Sequence, residues 1–458
     1  MNIKEIKERY AGKNIVLCGS APSLNQYARE PIEDAYHVAL NKAFLKEGID
    51  FDSVISCDYT GIRDIENILE ERQEIIKIMG LAIGPPESIM PEKLCDDSKD
   101  NIVKFYVKNR LDQYDPELKF ESRVDEEPVV FAASVAVAAI QILLWCKPDK
   151  LYLAGLDFTA DGHYAEINSS EAYLESHKAW ASTEWRTENI RTIWKNIKKF
   201  ADENYFGTSI ISINPVNLKG IFEDFYYHPK NPKVTAYIAV KANSVRLPGK
   251  NILPFADTNL LIYKIRQLRQ VYNISEIVVS TDSDEMLKMA EEEGAVGIAR
   301  PKDLADESRP YADFVEYLTR ILPGKHIIRC PVTAPLCDAN VISDSIDKYF
   351  DALDQGYDSL TSVTKFQSHM LDENGPMNFS TGIDHKGSQN LPVWYEIANC
   401  MDIEPIEIMK KYHFQYGPKV YKYEVDPVSA VDIDDLTDYR MACAIYKYWK
   451  DNDLIIGK

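Results

Sequence analysis

The chain has 458 residues, a formal net charge of −20, 45% hydrophobic residues and 27% charged residues. This length exceeds what one hydrophobic core usually supports, and the composition is that of an ordinary globular protein, so two domains are expected. The acidic balance argues against nucleic acid as a partner, because binding to a phosphate backbone needs a basic surface. Small anionic substrates remain compatible with it, since a few convergent Lys and Arg side chains can bind them locally.

The eight cysteines show no short paired spacing, which predicts reduced, buried thiols in a cytoplasmic protein. The opening segment MNIKEIKERY has no apolar core of the signal-peptide kind. Residues 129–146 are almost long and apolar enough to cross a bilayer, but Ser134, Gln141 and the strand-like LYLAG that follows favour a buried helix. We therefore expect no transmembrane segment, with a peripheral position at the inner face of the membrane as the alternative location.

The first half of the chain alternates short β-branched runs with helical stretches. The runs with strand composition are NIVLCG, HVALN, SVISCD, LYLAGLDF and SIISIN. Such alternation is typical of a mostly parallel sheet with helices on both faces. The sequence therefore predicts an α/β, Rossmann-like domain in this half.

A break in this pattern falls at residues 227–233 (YHPKNPK), where two prolines and polar residues interrupt it. A second alternating series follows, with the runs VTAYIAV, EIVVSTD, HIIRCPV and DSLTSVT. Each half has the size of one α/β domain. We therefore expect two Rossmann-like α/β domains in tandem, at residues 1–228 and 229–458.

A basic loop (residues 241–251) follows the first predicted strand of the second half. It carries three cations, Lys241, Arg246 and Lys250, among small or turn-forming residues that include Asn243 and Ser244. Such a loop can bring backbone N–H groups and cations around a triphosphate. Taken alone, it is equally compatible with a solvated basic loop.

The order of the pieces along residues 234–458 resembles the acylneuraminate cytidylyltransferases, the CMP-sialic acid synthetase family. The matching pieces are KANSVRLPGKN, VVSTDSDEM, ARPKDLADES, CPVTAPL, SQNLPVWYE and AVDIDD. The resemblance implies attack by the anomeric hydroxyl of a nonulosonic (sialic-acid-like) sugar acid on the α-phosphorus of CTP, with release of pyrophosphate. Positioning and charge neutralisation are expected to supply most of the catalysis.

The resemblance also implies roles for individual residues. Arg246 and Lys250 would act on the triphosphate, and Asp432 and Asp434 would hold Mg²⁺, which suits alternate residues of a strand that point the same way. Side chains assigned to the nucleotide are Lys241, Asn243, Ser244, Asn251 and Arg300. The family also implies a homodimer or a higher oligomer, with residues 367–403 as the segment exchanged between subunits.

Three residues depart from the family pattern. Lys241 stands where the family usually has Arg, Val245 replaces a frequent Lys, and Pro331 stands where many members have Gln. Loss of the planar guanidinium at position 241 removes a fork of donors. These changes bear on the base and sugar contacts, and they leave a pseudo-enzyme open as an alternative.

The first half resembles bacterial sialyltransferases with a single Rossmann-like domain, and the related flagellin-glycosylation accessory and hydroxymethylpterin pyrophosphokinase-like proteins. The turn CGSAPSL and the run FAASVAVAAIQILLWCKPDKLYLAGLDFTADGHYAE carry this resemblance. The side chains that it places at a CMP site are Ser20, Asn41, Asp58, Ser134 and Tyr164. Within that set Ser20 and Asp58 replace asparagines, and Thr159 replaces a second phosphate-facing Tyr.

The resemblance places His177 where the family has its general base. A pKa near neutrality suits a His that deprotonates an acceptor hydroxyl. His163, beside Tyr164, is the rival base, and a structural or surface role is the third possibility for either. Asp157, at a predicted strand end, is expected to be structural or to orient the ligand.

Together the two resemblances predict a bifunctional enzyme. One domain would make a CMP-sugar, and the other would transfer the sugar to a surface-glycan acceptor. Two alternatives keep the cytidylyltransferase but change the first half, either to a pterin pyrophosphokinase-like enzyme or to a non-catalytic module that binds a glycan or a partner protein.

Overall fold

The computed structural model describes residues 1–57, 62, 65–82, 90, 92–96, 98–108, 118–131, 134–158, 184–244, 246–304 and 309–452, without the side chains of 184–188. The chain divides into two compact units, Met1–Lys230 and Asn231–Lys458. Each unit is built on one large sheet, so the α/β class with two tandem layers is confirmed.

The sheet of unit 1 is parallel throughout the described residues. Its strands are β1 (Asn14–Cys18), β2 (Tyr36–Leu40), β3 (Phe51–Ser56), β4 (Ile76–Ala82), β5 (Ile102–Val107), β6 (Lys150–Ala154), β7 (Ser209–Ile213) and β8 (Glu223–Phe225). Their order across the sheet is β5-β4-β3-β2-β1-β6-β7-β8. The chain therefore runs outward from β1 to β5 and returns to the other side of β1 at β6, which makes the β1–β6 boundary a topological switch point.

The helices of unit 1 connect and cover these strands. They are α1 (Ile3–Tyr10), α2 (Leu24–Tyr27), α3 (Glu66–Glu71), α4 (Val135–Trp145) and α5 (Glu184–Asn204), with 3-10 turns at Asn41–Leu45 and Glu92–Leu94. Every residue of α4 after Val135 is buried, and Gln141 satisfies its amide with Val130 and Val137 backbone groups. The apolar run is therefore a core helix, as its flanks predict. Among the described helices, none is long and apolar enough to span a membrane.

Unit 2 carries a mixed sheet with two short hairpins beside it. The strands are β9 (Val234–Ala239), β10 (Pro254–Phe255), β11 (Thr258–Asn259), β12 (Ile274–Thr281), β13 (Val296–Ala299), β14 (His326–Arg329), β15 (Ser359–Phe366), β16 (Leu371–Asp372), β17 (Gly375–Pro376), β18 (Trp394–Pro405) and β19 (Val420–Glu424). The order in the main sheet is β13-β12-β9-β14-β18-β15-β19, and β18 runs antiparallel to both of its neighbours.

The helices of unit 2 alternate with these strands. They are α6 (Leu260–Arg269), α7 (Asp284–Glu292), α8 (Tyr311–Ile321), α9 (Ala339–Asp354), α10 (Ile406–Tyr412) and α11 (Leu436–Asp451), with 3-10 turns at Lys250–Ile252, Lys302–Leu304 and Ser388–Asn390. Helices α8 and α10 pack on one face of the sheet through Val315, Leu318, Ile406 and Met409. This face also contains Tyr237 of β9.

Strand β18 has an exposed first part and a buried second part. Its inner half pairs Ile403 with Leu360 in the core, and its outer half pairs Trp394 with Phe366. A bulge separates the halves, where the Ser362 hydroxyl accepts from the backbone N–H groups of Cys400 and Met401. Asn399, at φ 52°, makes the turn. The outer half, together with β16 and β17, forms an exposed ribbon (residues 363–397).

All eight cysteines lie in described residues, and none forms a disulfide. Six are buried, while Cys95 and Cys443 are half-buried. Burial raises the pKa of Cys330 to about 12 and that of Cys146 to about 12. These two thiols are therefore protonated at neutral pH and behave as small core residues.

Candidate functional site

The basic loop of unit 2 leaves the carboxyl end of β9 and is held closed at its ends. The buried Asn251 amide donates to the Lys241 carbonyl at 2.9 Å. The Ala242 N–H donates to Asp282 Oδ1 at 2.8 Å, which ties the loop to the end of β12. Gly249 adopts φ 65° just before the 3-10 turn, a conformation that a β-carbon disfavours. The loop therefore has a fixed backbone, although its cations are only partly buried.

Two of the three predicted cations converge on the segment before α11. The Lys250 ammonium donates to the Ile433 carbonyl at 2.8 Å and lies 3.3 Å from Asp434 Oδ1. The Arg246 guanidinium donates to Asp434 Oδ2 at 2.7 Å. The Lys250 side chain is 13% exposed and that of Arg246 is 65% exposed. Lys250 is thus positioned by the fold, whereas Arg246 reaches the same carboxylate from solvent.

Asp432 lies on the same segment and is more deeply placed than Asp434. Burial raises the pKa of the Asp432 carboxyl, a hydrogen bond with Thr333 lowers it, and the nearby Asp434 carboxylate raises it again. The Asp432 Oδ1 atom is buried and has no hydrogen-bond partner among the described residues. The expectation that these two aspartates sit on a strand is wrong: β19 ends at Glu424, and residues 431–434 have no regular secondary structure. The backbone is instead fixed by a 2.8 Å bond from the Ile433 N–H to the Thr333 carbonyl.

The donor set at Asp432 and Asp434 can be compared with what Mg²⁺ prefers. No group of three or more His, Cys, Asp or Glu side chains suited to a metal occurs in the described part of the chain. Mg²⁺ sites in nucleotide enzymes commonly use one or two carboxylates together with substrate phosphates. The orphaned Oδ1 atom of Asp432 and the neighbouring Asp434 carboxylate therefore fit an ion shared with a triphosphate.

Arg300 differs from the other cations because it is 6% exposed. Its guanidinium donates to the Val240 carbonyl and lies 5.2 Å from the ring of Phe314. Burial lowers the pKa of this guanidinium, while the Asp282 carboxylate raises it. Its Nε atom has no partner within the described residues. Arg300 thus supports the start of the basic loop from inside the unit.

The remaining loop residues predicted for the nucleotide are more open. Asn243 is exposed, while Ser244 and Lys241 are half-buried. Val245, one of the departures from the family pattern, lies outside the described residues. The structure therefore brings Arg246, Lys250 and Asp434 into contact and leaves Asn243 on the open side of the loop.

The switch point of unit 1 is a close approach between two glycines. The Gly19 N–H donates to the Ala154 carbonyl at 2.8 Å, and the Ala21 N–H donates to the Gly155 carbonyl at 3.0 Å. A β-carbon on Gly19 would lie 2.2 Å from the Gly155 oxygen. The glycine of the turn is thus required by packing between β1 and β6, and Ser20 follows it, half-buried, at the carboxyl edge of the sheet.

Asp157 holds the turn after β1. Its buried carboxylate accepts from the Ser23 N–H at 3.0 Å and from the Ser23 hydroxyl. Asn41 follows β2 with φ 48°, and its buried Oδ1 atom has no partner among the described residues. Ser134 caps α4, where its hydroxyl accepts from the Ala136 N–H at 3.3 Å. Because α4 ends just before β6 begins, its N-terminus lies at the carboxyl edge, near the level of the turn.

Several predicted side chains of unit 1 lie outside the described residues. They are Asp58, Thr159, His163, Tyr164 and His177. The predicted residues of this site that the structure describes are Ser20, Asn41, Ser134 and Asp157.

The sequence reasoning missed three residues that shape the site of unit 2. Asp282 anchors Ala242, and its signal is a carboxylate directly after a predicted strand. Thr333 binds Asp432 through its side chain and Ile433 through its carbonyl. Lys264 is fully buried on α6 and donates to the Ala334 and Cys337 carbonyls, both at 2.9 Å, so it fixes the loop after β14. Its only sequence signal is a charge on an apolar helix face.

Comparison with known proteins finds the cytidylyltransferase family at residues 237–450. The N-acylneuraminate cytidylyltransferase of Escherichia coli is 27% identical over 220 residues, which cover 46% of this chain and 52% of that protein. The pseudaminic acid cytidylyltransferase of Campylobacter jejuni is 25% identical over 222 residues, which cover 46% of this chain and 94% of that protein. The chain thus spans about half the length of the Escherichia coli relative. Residues 237–450, with the basic loop at their start, match the cytidylyltransferase family.

Proposed function

We propose that unit 2 joins CTP to a nonulosonic, sialic-acid-like sugar acid and releases pyrophosphate. The observation that carries this proposal is the convergence of Lys250 and Arg246 on Asp434. Both cations belong to a loop whose ends are held by hydrogen bonds of Asn251 and Asp282. The names of the two relatives, which act on N-acylneuraminate and pseudaminic acid, support the class of sugar.

The charges of the site suit a triphosphate. Without substrate, Asp434 is shared by Lys250 and Arg246. In the proposed complex the two cations turn to the phosphates, where they stabilise the charge that develops as pyrophosphate leaves. Lys250 is already held by the Ile433 carbonyl, so little reorganisation is needed for it to act. The basic loop thereby orients the α-phosphorus toward the anomeric hydroxyl.

Asp432 and Asp434 would hold Mg²⁺, which would supply charge neutralisation at the triphosphate. The orphaned Oδ1 atom of Asp432 supports this assignment.

The test is a panel of sugar acids offered to the full chain with CTP and Mg²⁺. Sialic, legionaminic, pseudaminic and octulosonic acids differ in their ring substituents, so the fastest substrate identifies the sugar. Pyrophosphate release that depends on one of these acids is the expected result. Absence of release with every acid, from a protein with a cooperative unfolding transition, would favour the pseudo-enzyme.

For unit 1 we propose transfer of the sugar from the CMP-sugar to a glycan acceptor. Support comes from the switch point, where Gly19 and Gly155 bring two strand ends together. The Asn41 Oδ1 atom, which has no partner in the part of the chain that the structure describes, lies at the end of β2. Ligands of open α/β sheets bind at such a crevice. In this scheme the product of unit 2 is the donor for unit 1.

This second proposal is tested by supplying CMP-sugars and glycan acceptors to the full chain without CTP. Release of CMP that requires an acceptor supports transfer. Consumption of ATP with a pterin would instead favour the pyrophosphokinase-like alternative, and binding of a glycan without turnover would favour the non-catalytic module.

We also propose that unit 2 forms a homodimer through the exposed ribbon. The ribbon presents Leu371, Met377, Ile383, Trp394 and Tyr395 to solvent, with exposures that reach 102% at Ile383. Several exposed large apolar side chains on one segment favour an interaction site. Light scattering at micromolar concentration should show a dimer that Ile383→Asp weakens, whereas Phe206→Asp, at a 92% exposed apolar residue of unit 1, should leave it unchanged. A fully active monomer contradicts the assignment.

A further inference from the structure

A polar row crosses the buried face of the unit 2 sheet under α8 and α10. Tyr237 of β9 pairs in register with Arg329 of β14, Arg329 with Asp402 of β18, and Asp402 with Thr361 of β15. Glu404 lies two residues further along β18 and therefore on the same face. These five residues, the Arg329 cluster, occupy positions of the sheet interior where apolar side chains are the rule.

The Arg329 guanidinium is held rigidly at the carboxyl end of β14. Its Nη1 atom donates to Asp402 Oδ2 at 2.8 Å, and Asp402 Oδ1 accepts from the Thr361 hydroxyl at 2.6 Å. Asp402 is 1% exposed, but the Arg329 side chain is 23% exposed. One nitrogen of the guanidinium is therefore anchored to a buried carboxylate, while the side chain as a whole stays partly exposed.

Two buried polar groups beside Arg329 have no hydrogen-bond partner within the described residues. They are both carboxyl oxygens of Glu404, which is 0% exposed, and the hydroxyl of Tyr237, which is 1% exposed. Burial, and then the neighbouring Asp402 carboxylate, raise the pKa of Glu404 well above its ordinary value. The fold therefore favours the protonated form of Glu404, beside the ion pair of Arg329 with Asp402.

Aromatic rings border the exposed side of the cluster. Tyr311 interacts electrostatically with Arg329, Asp402 and Glu404, and its ring lies 5.7 Å from that of Phe414. Tyr416 interacts with Asp402, and its ring lies 4.8 Å from that of Phe414. Tyr311 and Phe414 are 42% and 37% exposed. A guanidinium with aromatic rings in its neighbourhood combines an anion-binding fork with apolar surfaces for the C–H faces of a sugar.

The cluster is also near the site already described. Arg329 is the last residue of β14, at the carboxyl end of that strand. The loop that follows Arg329 contains Thr333, which binds Asp432 and Ile433. An acid bound at Arg329 would therefore lie beside the carboxylates proposed for Mg²⁺.

We propose that Arg329 is the specificity residue that binds the carboxylate of the sugar acid, with Asp402 as its positioning residue. This inference rests on the proposed cytidylyltransferase function of unit 2. The planar fork of Arg matches a carboxylate in two parallel hydrogen bonds, which a Lys at the same place cannot supply. Lys250 and Arg246 serve the triphosphate, so the two anions of the reaction are recognised by separate groups.

The experiment compares each sugar acid with its C1 methyl ester in the full chain. N-acetylneuraminic acid and pseudaminic acid are the probes, and pyrophosphate release gives kcat and KM for the acid, the ester and CTP. The variants are Arg329→Gln, Arg329→Lys and the double variant Arg329→Gln/Asp402→Asn, which leaves no unpaired buried charge. The matched control is Arg320→Gln, which removes an arginine with a 72% exposed side chain from α8.

In the wild type, kcat/KM for the acid should exceed that for the ester by about 100-fold or more, because a site built for a charged group rejects its neutral analogue. Arg329→Gln and the double variant should raise KM for the acid by about 100-fold, leave KM for CTP within about threefold, and equalise acid and ester. Arg329→Lys should recover only part of the preference for the acid.

The outcomes separate the two proposals. An unchanged preference for the acid in a folded, active double variant overturns the role of Arg329 and leaves the proposed function standing. Equal loss of affinity for CTP and acid also overturns it, since this is the result of a structural role. If the wild type releases no pyrophosphate with either acid, the proposed function fails and the inference fails with it.

Discussion

Replacement of Lys250 by Met tests whether the basic loop acts on the triphosphate or merely packs. Methionine keeps the apolar stem but loses the donor to the Ile433 carbonyl and the charge 3.3 Å from Asp434. A hydrogen bond from a charged group contributes about 1.5–3 kcal/mol, so the free energy of unfolding should fall by about that amount. For a unit of this size, the Tm should then fall by about 3–12 °C.

The loss of turnover should be larger than the loss of stability implies. Removal of one preorganised charge that stabilises the transition state costs about 10²–10³ in turnover. Pyrophosphate release at saturating CTP and sugar acid, measured well below the Tm of the variant, gives this factor. The matched variant is Arg246→Met: its side chain is 65% exposed, so it should cost at most about 1 kcal/mol in stability. If Lys250→Met loses stability as expected but keeps turnover within about threefold of the wild type, Lys250 only stabilises the fold. Its proposed action on the triphosphate is then refuted.

Three further predictions address the metal, the buried acid and the base of unit 1. Asp432→Asn should abolish the Mg²⁺-dependent rate while a cooperative unfolding transition persists; near-wild-type turnover across a Mg²⁺ titration contradicts the metal assignment. Glu404→Gln should stabilise the protein at pH 8 but hardly at pH 4. The raised pKa of Glu404 means that the fold favours the protonated acid, so the wild type loses stability as pH rises above the unfolded pKa of about 4.3. The loss is up to about 1.4 kcal/mol per unit of difference between the folded and unfolded pKa. An equal change in Tm at both pH values would show that Glu404 ionises normally. His177→Ala should eliminate transfer from a supplied CMP-sugar and leave CMP-sugar synthesis intact, with wild-type transfer falling below about pH 6 as His becomes protonated; normal transfer by this variant together with a dead His163→Ala would reverse the choice of base.

The sequence predicts the α/β class and most inner strands correctly, because those strands are continuous β-branched runs flanked by turn residues. In unit 1 it misses β4, β8 and β5, whose sequence IVKFYV mixes polar and apolar residues. In unit 2 it misses the inner strand β18, whose first four residues are exposed. It also misses β13 and β19, which have half-buried or exposed residues throughout. The periodicity of such edge strands is weak because one face is open to solvent. Their strand state follows from pairing with β12 and β15, which no local signal contains.

The candidate site, like the fold, could be predicted only in part from the sequence. A run of Lys, Arg and small residues after a strand identifies the basic loop, since those residue types have few other reasons to occur together. The contact of Lys250 with Ile433 joins residues 183 positions apart, so local reasoning cannot reach it. The same holds for Arg329 and Asp402, 73 positions apart. Each alone looks like an ordinary charged residue at the end of a strand, and only the sheet register makes them a pair.

The bulge divides β18 into a buried half and an exposed half, and these two halves tolerate sequence changes to different degrees. Inside the bulge, Met401 and Ile403 are 0% exposed, and a change of one residue there would shift every later side chain to the opposite face. Outside it, the ribbon contributes little to the core, so its length and apolar content can drift without cost to folding. Asn399 has a left-handed backbone at the point where the pairing register of β18 with β15 shifts. Relatives that share this bulge are therefore expected to differ most in the ribbon, where insertions leave the sheet intact.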